Sequence, residues 1–189
     1  MTSGPPDAEG MLIGDGQVPL LARPYYAEGD PGPIVAALAQ VPELLEVALP
    51  FIGAALGPSA IDWRVKEIAI VRTSALAGCR YCVAAHTVVA LDAGLGLLEV
   101  RALRAECDIA RVFTDPRELA LLAWVDAVAG GGPIEDAPRD RLRGYWAVHE
   151  VVELTVVIAA TLMLNRFATA LGLPSSTATL DRLAEAGLS

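Results

Sequence analysis

Residues 66–94 read "KEIAIVRTSALAGCRYCVAAHTVVALDAG", an apolar run holding two of the chain's three cysteines and one of its two histidines. Just before it, Asp62 is placed to accept from the first free N–H groups of a helix, and Ile61, Val65, Ile68, Ala69 and Leu76 recur at near-helical spacing. "LAGC" ends that helix. A second is predicted from about Cys79 to Asp92, with Gly94 as its C-terminal stop.

The same reading extends in both directions. "PIVAALAQ" from Pro33 predicts a short helix with proline at its first position, and "PELLEVALPFIGAAL" a longer one interrupted near Pro50. Downstream, "GLGLLEVRALR" predicts a short helix, and Asp115-Pro116 caps "DPRELALLAWVDAVAG". "EDAPRDRLRGYW" adds another, and a long apolar helix is expected from about Glu150 to Leu171. No segment alternates with period two over a strand length, so the chain reads as all-α. Residues 1–32 are rich in proline and glycine and read as an irregular arm whose first part is mobile. Residues 33–174 read as the helical domain and 175–189 as a C-terminal tail.

Composition narrows the function classes. The 189 residues are 54% hydrophobic, with mean hydropathy +0.47. That calls for either a membrane segment or extensive burial between subunits. The most apolar stretch, "LTVVIAATLML", is bracketed by Glu153 and Arg166 and falls short of the roughly 18–20 residues a span needs. No membrane span is expected, and a homo-oligomer with apolar subunit contacts is. The net charge of −9, with no Lys/Arg block, argues against a nucleic-acid partner. The opening "MTSGPPDAEG" has neither a basic start nor an apolar core, so no signal peptide and a cytoplasmic location are expected. In a reducing compartment, paired cysteines are more often reactive or metal-binding than structural.

On a helix, positions 79, 82 and 86 share one face, and the tilt of side chains toward the N-terminus lays His86 over the turn carrying Cys82. The cysteines fall in the first turn, where free N–H groups and the macrodipole favour a thiolate, the nucleophilic form. Structural zinc wants four ligands, and this cluster offers three. Covalent haem attachment needs histidine where Val83 stands. A thioredoxin domain would set its CxxC in a βαβ context. The pattern favours dithiol redox chemistry; a catalytic zinc and a pair of buried core cysteines remain open. Glu67, twelve positions before Cys79, could be brought beside the pair by an antiparallel return. On spacing alone its default reading is an exposed partner of Lys66 or Arg64. Cys107 reads as a packed or incidental thiol and His149 as a surface or subunit-contact residue. Trp63, Trp124 and Trp146 read as core or interface, and Asn165-Arg166 as a pairing partner for Glu153 or Glu67.

Glu67, Cys79-Arg80-Tyr81-Cys82 and His86, at this spacing, resemble the alkylhydroperoxidase D-like (AhpD-like) group of the carboxymuconolactone decarboxylase family. "RVKEIAIVRTSALAGCRYCVAAHTVVALDAGL" looks like that family's central helix pair, "DPRELALLAWVDAV" like the next helix and "ELTVVIAATLMLNRFATALGLP" like its closing helix. The resemblance covers about Pro33 to Pro174. It implies an all-helical bundle assembling as trimers or hexamers, and a dithiol peroxidase or disulfide reductase that needs no metal or other cofactor. Glu67 and His86 would form a proton relay, and Cys79 and Cys82 the redox pair. As to which attacks, the helix terminus favours Cys79 and His86 at i+4 favours Cys82; Cys82 is expected to attack, with Cys79 as its more accessible partner. This reverses the default for Glu67. A hydroperoxide would be the substrate, and a dithiol or a lipoylated protein the reductant. Tyr81 departs from the best-studied members, which carry a second histidine there. A phenol of pKa near 10 is a poor proton carrier at neutral pH but still a donor, which tells against efficient peroxide turnover. Decarboxylation of a lactone acid, or a non-enzymatic redox sensor, are the competing functions.

Overall fold

The computed structural model describes residues 10–188; the expected mobility at the very start of the chain falls largely on residues outside that range. Among the described residues there are helices and no strands, as the sequence leads one to expect. The helices are α1 (Pro33–Leu38), α2 (Pro42–Leu56), α3 (Trp63–Leu76), α4 (Arg80–Asp92), α5 (Leu97–Leu103), α6 (Ile109–Val112), α7 (Pro116–Ala129), α8 (Asp136–Arg143), α9 (Val148–Ala170) and α10 (Thr177–Glu185). Two 3₁₀ turns, Asp15–Gln17 and Leu20–Tyr26, precede them.

Local chemistry sets most of these boundaries. Asp62 and Asp115 accept the backbone N–H groups of Arg64 and Arg117, each at 2.8 Å, starting α3 and α7. Four helices end in the same way: Gly78, Gly94, Gly172 and Gly187 take positive φ, and the next residue's N–H returns to the carbonyl five positions back. α5 ends with the same two bonds, Ala105 N–H to Ala102 O at 3.0 Å and Glu106 N–H to Arg101 O at 2.9 Å. Here alanine occupies the left-handed position, at φ 64°. A Cβ there costs about 1 kcal/mol, so Ala105→Gly is expected to stabilise the fold by about that much. Scanning calorimetry would read this as a rise in Tm of roughly 2–4 °C; an unchanged or lower Tm contradicts it.

α3 is the central element, packed against α4, α7 and α9. Ile68, Ala69, Ile70 and Val71 are all fully buried, so the helix is apolar on every side at mid-length. Four of its polar residues, Lys66, Glu67, Thr73 and Ser74, are buried as well, and the two charged ones are paired. Lys66 donates to the carbonyls of Ala55 (3.2 Å) and Gly57 (2.7 Å) and meets Glu153 at 2.9 Å. Hydrogen bonding from Ser59, then from Lys66, holds the Glu153 carboxyl below the usual carboxylate range. Arg64, half-exposed, instead joins α3 to α5 and α7 through Glu99 and Glu118.

Three features go beyond the sequence reading. The described part of the arm is packed: Ile13 and Ala22 lie with Leu38, Ala39 and Leu45, and Leu12 reaches the cluster around Cys79 and Cys82. The tail contains α10, which lies on α4; Leu183 and Leu188 enter the main core, and Arg182 pairs with Asp92 at 2.8 Å. Finally, α9 runs for 23 residues and is long and apolar enough, by length and composition alone, to cross a membrane, although the apolar stretch read alone fell short. It packs against α2, α3, α4, α7 and α8, and its exposed face includes Val148, Val152, Val156 and Met163.

Candidate active site

α3 and α4 are joined by only three residues, and this tight link builds the site. Gly78, at φ 67°, reverses the chain, and the Cys79 N–H returns to Ser74 O at 3.1 Å. Cys79 is thereby left with extended φ/ψ as the N-cap of α4, rather than its first helical residue. Its sulfur accepts the N–H of Cys82 at 3.3 Å, the position a capping oxygen would take. The link is also tied to α9, because Ser74 Oγ donates to Asn165 Oδ1 at 3.1 Å in the interior.

The two cysteines are bonded as a disulfide with Cα atoms 5.3 Å apart, inside the usual range for such a bridge. Both are buried, Cys79 at 1% exposure and Cys82 at 5%. Cys79 is therefore not the more exposed of the two, because its sulfur folds back over the first turn to cap it. It is, however, the one that lines surface cavities. One, of about 80 Å³, lies between it, Tyr81 and Leu173; a larger one, of about 440 Å³, lies toward α10.

Glu67 and His86 meet as a pair. The carboxylate is 2% exposed, and its Oε2 lies 3.1 Å from His86 Nδ1. The default reading of Glu67 as a surface partner of Lys66 or Arg64 fails because every face of α3 is covered at this level. A buried carboxylate beside Nδ1 favours the tautomer with the proton there, leaving Nε2 as the open acceptor. His86 lies four residues beyond Cys82 on the same face of α4. Tyr81 is partly buried; loss of hydration, then the negative charge of Asp30, pushes its phenol above the ordinary value, so it stays a neutral donor.

The remaining candidates disperse. Cys107 is exposed rather than packed, His149 is on the surface, and Trp63 is half-exposed while Trp124 and Trp146 are buried. Asn165 pairs with Ser74, and Glu153 and Glu67 are engaged by Lys66 and His86, so neither carboxylate is the partner expected for Asn165-Arg166. Ser74 is the supporting residue missed by the sequence reading; its small hydroxyl in an apolar run gave no distinguishing signal. Among the described residues, no three His, Cys, Asp or Glu side chains gather where they could hold a metal ion.

The all-helical fold, in which a buried carboxylate meets a histidine one turn beyond a CxxC pair, is similar to that of AhpD-type proteins of known structure. The model of the carboxymuconolactone decarboxylase family matches residues 42–127 of the chain. No curated protein matches the sequence. Among solved structures, a candidate AhpD-type antioxidant-defence protein of unknown function from Agrobacterium tumefaciens is 26% identical. It aligns over 74% of this chain and 95% of its own, with TM-score 0.67. An uncharacterised peroxidase-related protein from Silicibacter sp. TM1040 is 19% identical over 95% of this chain and 97% of its own, with TM-score 0.81. The debrominase Bmp8 is 20% identical over 92% and 95%, with TM-score 0.74. At 19 and 20% identity the last two share the fold alone, and the fold evidently serves enzymes.

Proposed function

We propose that the chain is a thiol-dependent hydroperoxidase, an oxidoreductase whose Cys79–Cys82 pair alternates between dithiol and disulfide. The observation that carries this reading is the bonded pair at the N-terminus of α4 with the Glu67–His86 contact of 3.1 Å beside it. In the reduced protein, His86 Nε2 takes the Cys82 proton while Glu67 holds the ring and balances its charge. The Cys82 thiolate attacks the terminal oxygen of a hydroperoxide; an S–O bond forms, the O–O bond breaks, and the alkoxide leaves as alcohol with the proton from His86. The Cys79 thiol then attacks the sulfenic sulfur, forming the disulfide and releasing water. An external dithiol, free or carried on a protein, attacks Cys79, displaces Cys82 as thiolate, and leaves as its own disulfide. Two electrons pass from dithiol to peroxide in each cycle. The test is hydroperoxide-dependent oxidation of a dithiol by the protein, present in wild type and absent in both single cysteine variants.

The working form in this reading is a cytoplasmic homo-oligomer, a trimer or hexamer. The exposed residues Val148, Val152, Val156 and Met163 follow one face of α9, and the adjacent α2 exposes Leu44, Val47 and Phe51. Two neighbouring apolar stripes of this kind favour burial against further copies of the chain. Sedimentation equilibrium is expected to give three or six times the 19.7 kDa of one chain, and a monomer at micromolar concentration contradicts it.

A further inference from the structure

The cavity of about 440 Å³ beside Cys79 has no part in the peroxide steps above, yet its size falls in the range of small-molecule sites. Leu180, Leu183 and Leu188, all from the C-terminal segment, give it an apolar wall, and Val83 and Ala84 of α4 add to it. Its charged lining is two guanidinium groups, Arg80 and Arg104, against one carboxylate, Glu106. On a chain of net charge −9 this is a local cationic excess.

Arg104 is the informative residue. Its Nε meets Glu106 Oε1 at 2.6 Å, whereas its Nη1 is buried and finds no acceptor among the described residues. A buried guanidinium N–H without an acceptor is costly, and a carboxylate matches its planar edge. Between the two charged residues sits Ala105, the one non-glycine among the described residues with positive φ. That strained turn places Arg104 and Glu106 together in the cavity wall, and strain of this kind tends to gather at binding sites.

We propose that the cavity binds an aliphatic carboxylate. Its anionic group sits on the free edge of Arg104, its hydrocarbon part lies against Leu180, Leu183 and Leu188, and the remainder of the molecule meets Cys79. The purpose of such a site rests on the dithiol reading: either the hydroperoxide or the reducing dithiol carries the carboxylate. The existence of the site does not rest on it.

The test begins with calorimetric titration of the oxidised full-length protein with octanoate and with octanamide, which differ in charge and little in shape. Octanoate is expected to bind at least about tenfold more tightly, as a charge-assisted hydrogen bond provides. Arg104→Gln is expected to bring octanoate down to the octanamide level. Leu180→Glu, at a position 51% exposed and tolerant of change, is expected to weaken octanoate more than octanamide. Equal affinities in wild type, or octanoate binding untouched by both substitutions, overturns the proposal. In turnover assays octanoate is expected to compete with whichever co-substrate carries the carboxylate; competition with hydroperoxide or with dithiol supports the site and identifies the carrier, and competition with neither overturns it. Tight octanoate binding in a protein that turns over no hydroperoxide would keep the site and remove the peroxidase.

Discussion

Hydroperoxide consumption is expected to fall by roughly a thousandfold or more in both Cys79→Ser and Cys82→Ser, because residues that act as one unit fail together. The two variants are expected to differ in a single turnover. Cys79→Ser keeps the thiol that lies one turn before His86, so one equivalent of hydroperoxide still yields a sulfenic acid on Cys82, trapped by a sulfenic-acid reagent. Cys82→Ser leaves Cys79 at the cap position without that imidazole, and no sulfenic acid accumulates. Sulfenic acid formed in Cys82→Ser and not in Cys79→Ser would reverse the order of attack while leaving the redox cycle intact. Peroxide consumption undiminished in both variants would end the dithiol reading.

The second large effect comes from the buried pair. Glu67→Gln keeps the shape and an acceptor for His86 Nδ1 but removes the charge that balances an imidazolium, and the oxidation step is expected to slow by about 100-fold. Stability should hold or rise, since a buried charge is replaced by a neutral amide. His86→Ala is expected to slow the same step and also to destabilise the fold by about 1–3 kcal/mol, because Glu67, 2% exposed, loses its partner. The contrast separates chemistry from packing. If Glu67→Gln lowered Tm as much as His86→Ala and left the rate unchanged, Glu67 would be a structural residue only.

The central helix pair was legible because several independent signals agree there. Asp62, Gly78 and Gly94 mark helix ends by their own conformational preferences, and the apolar spacing between them admits only helices. α10 was passed over because its nine residues open on Thr-Ala-Thr, poor in helix-favouring long side chains, and it is stabilised chiefly by setting Leu183 into the core. The end of α5 carries no glycine to announce it. The contact of Glu67 with His86 could not be settled by spacing, since a carboxylate on a helix is usually solvated; it was anticipated only with the whole Glu–CxxC–His pattern. The cavity beside Cys79 was invisible in principle, as it joins residues 75–106 to residues 180–188, a juxtaposition that only packing of α10 on α4 creates.

The most direct measurement is the intact mass of the fully reduced protein before and after one equivalent of an organic hydroperoxide. The account predicts the loss of two hydrogen atoms, with the oxidation mapped to a Cys79–Cys82 disulfide and the original mass restored by a dithiol. An unchanged mass, or added oxygen retained on either cysteine with no disulfide formed, would contradict it.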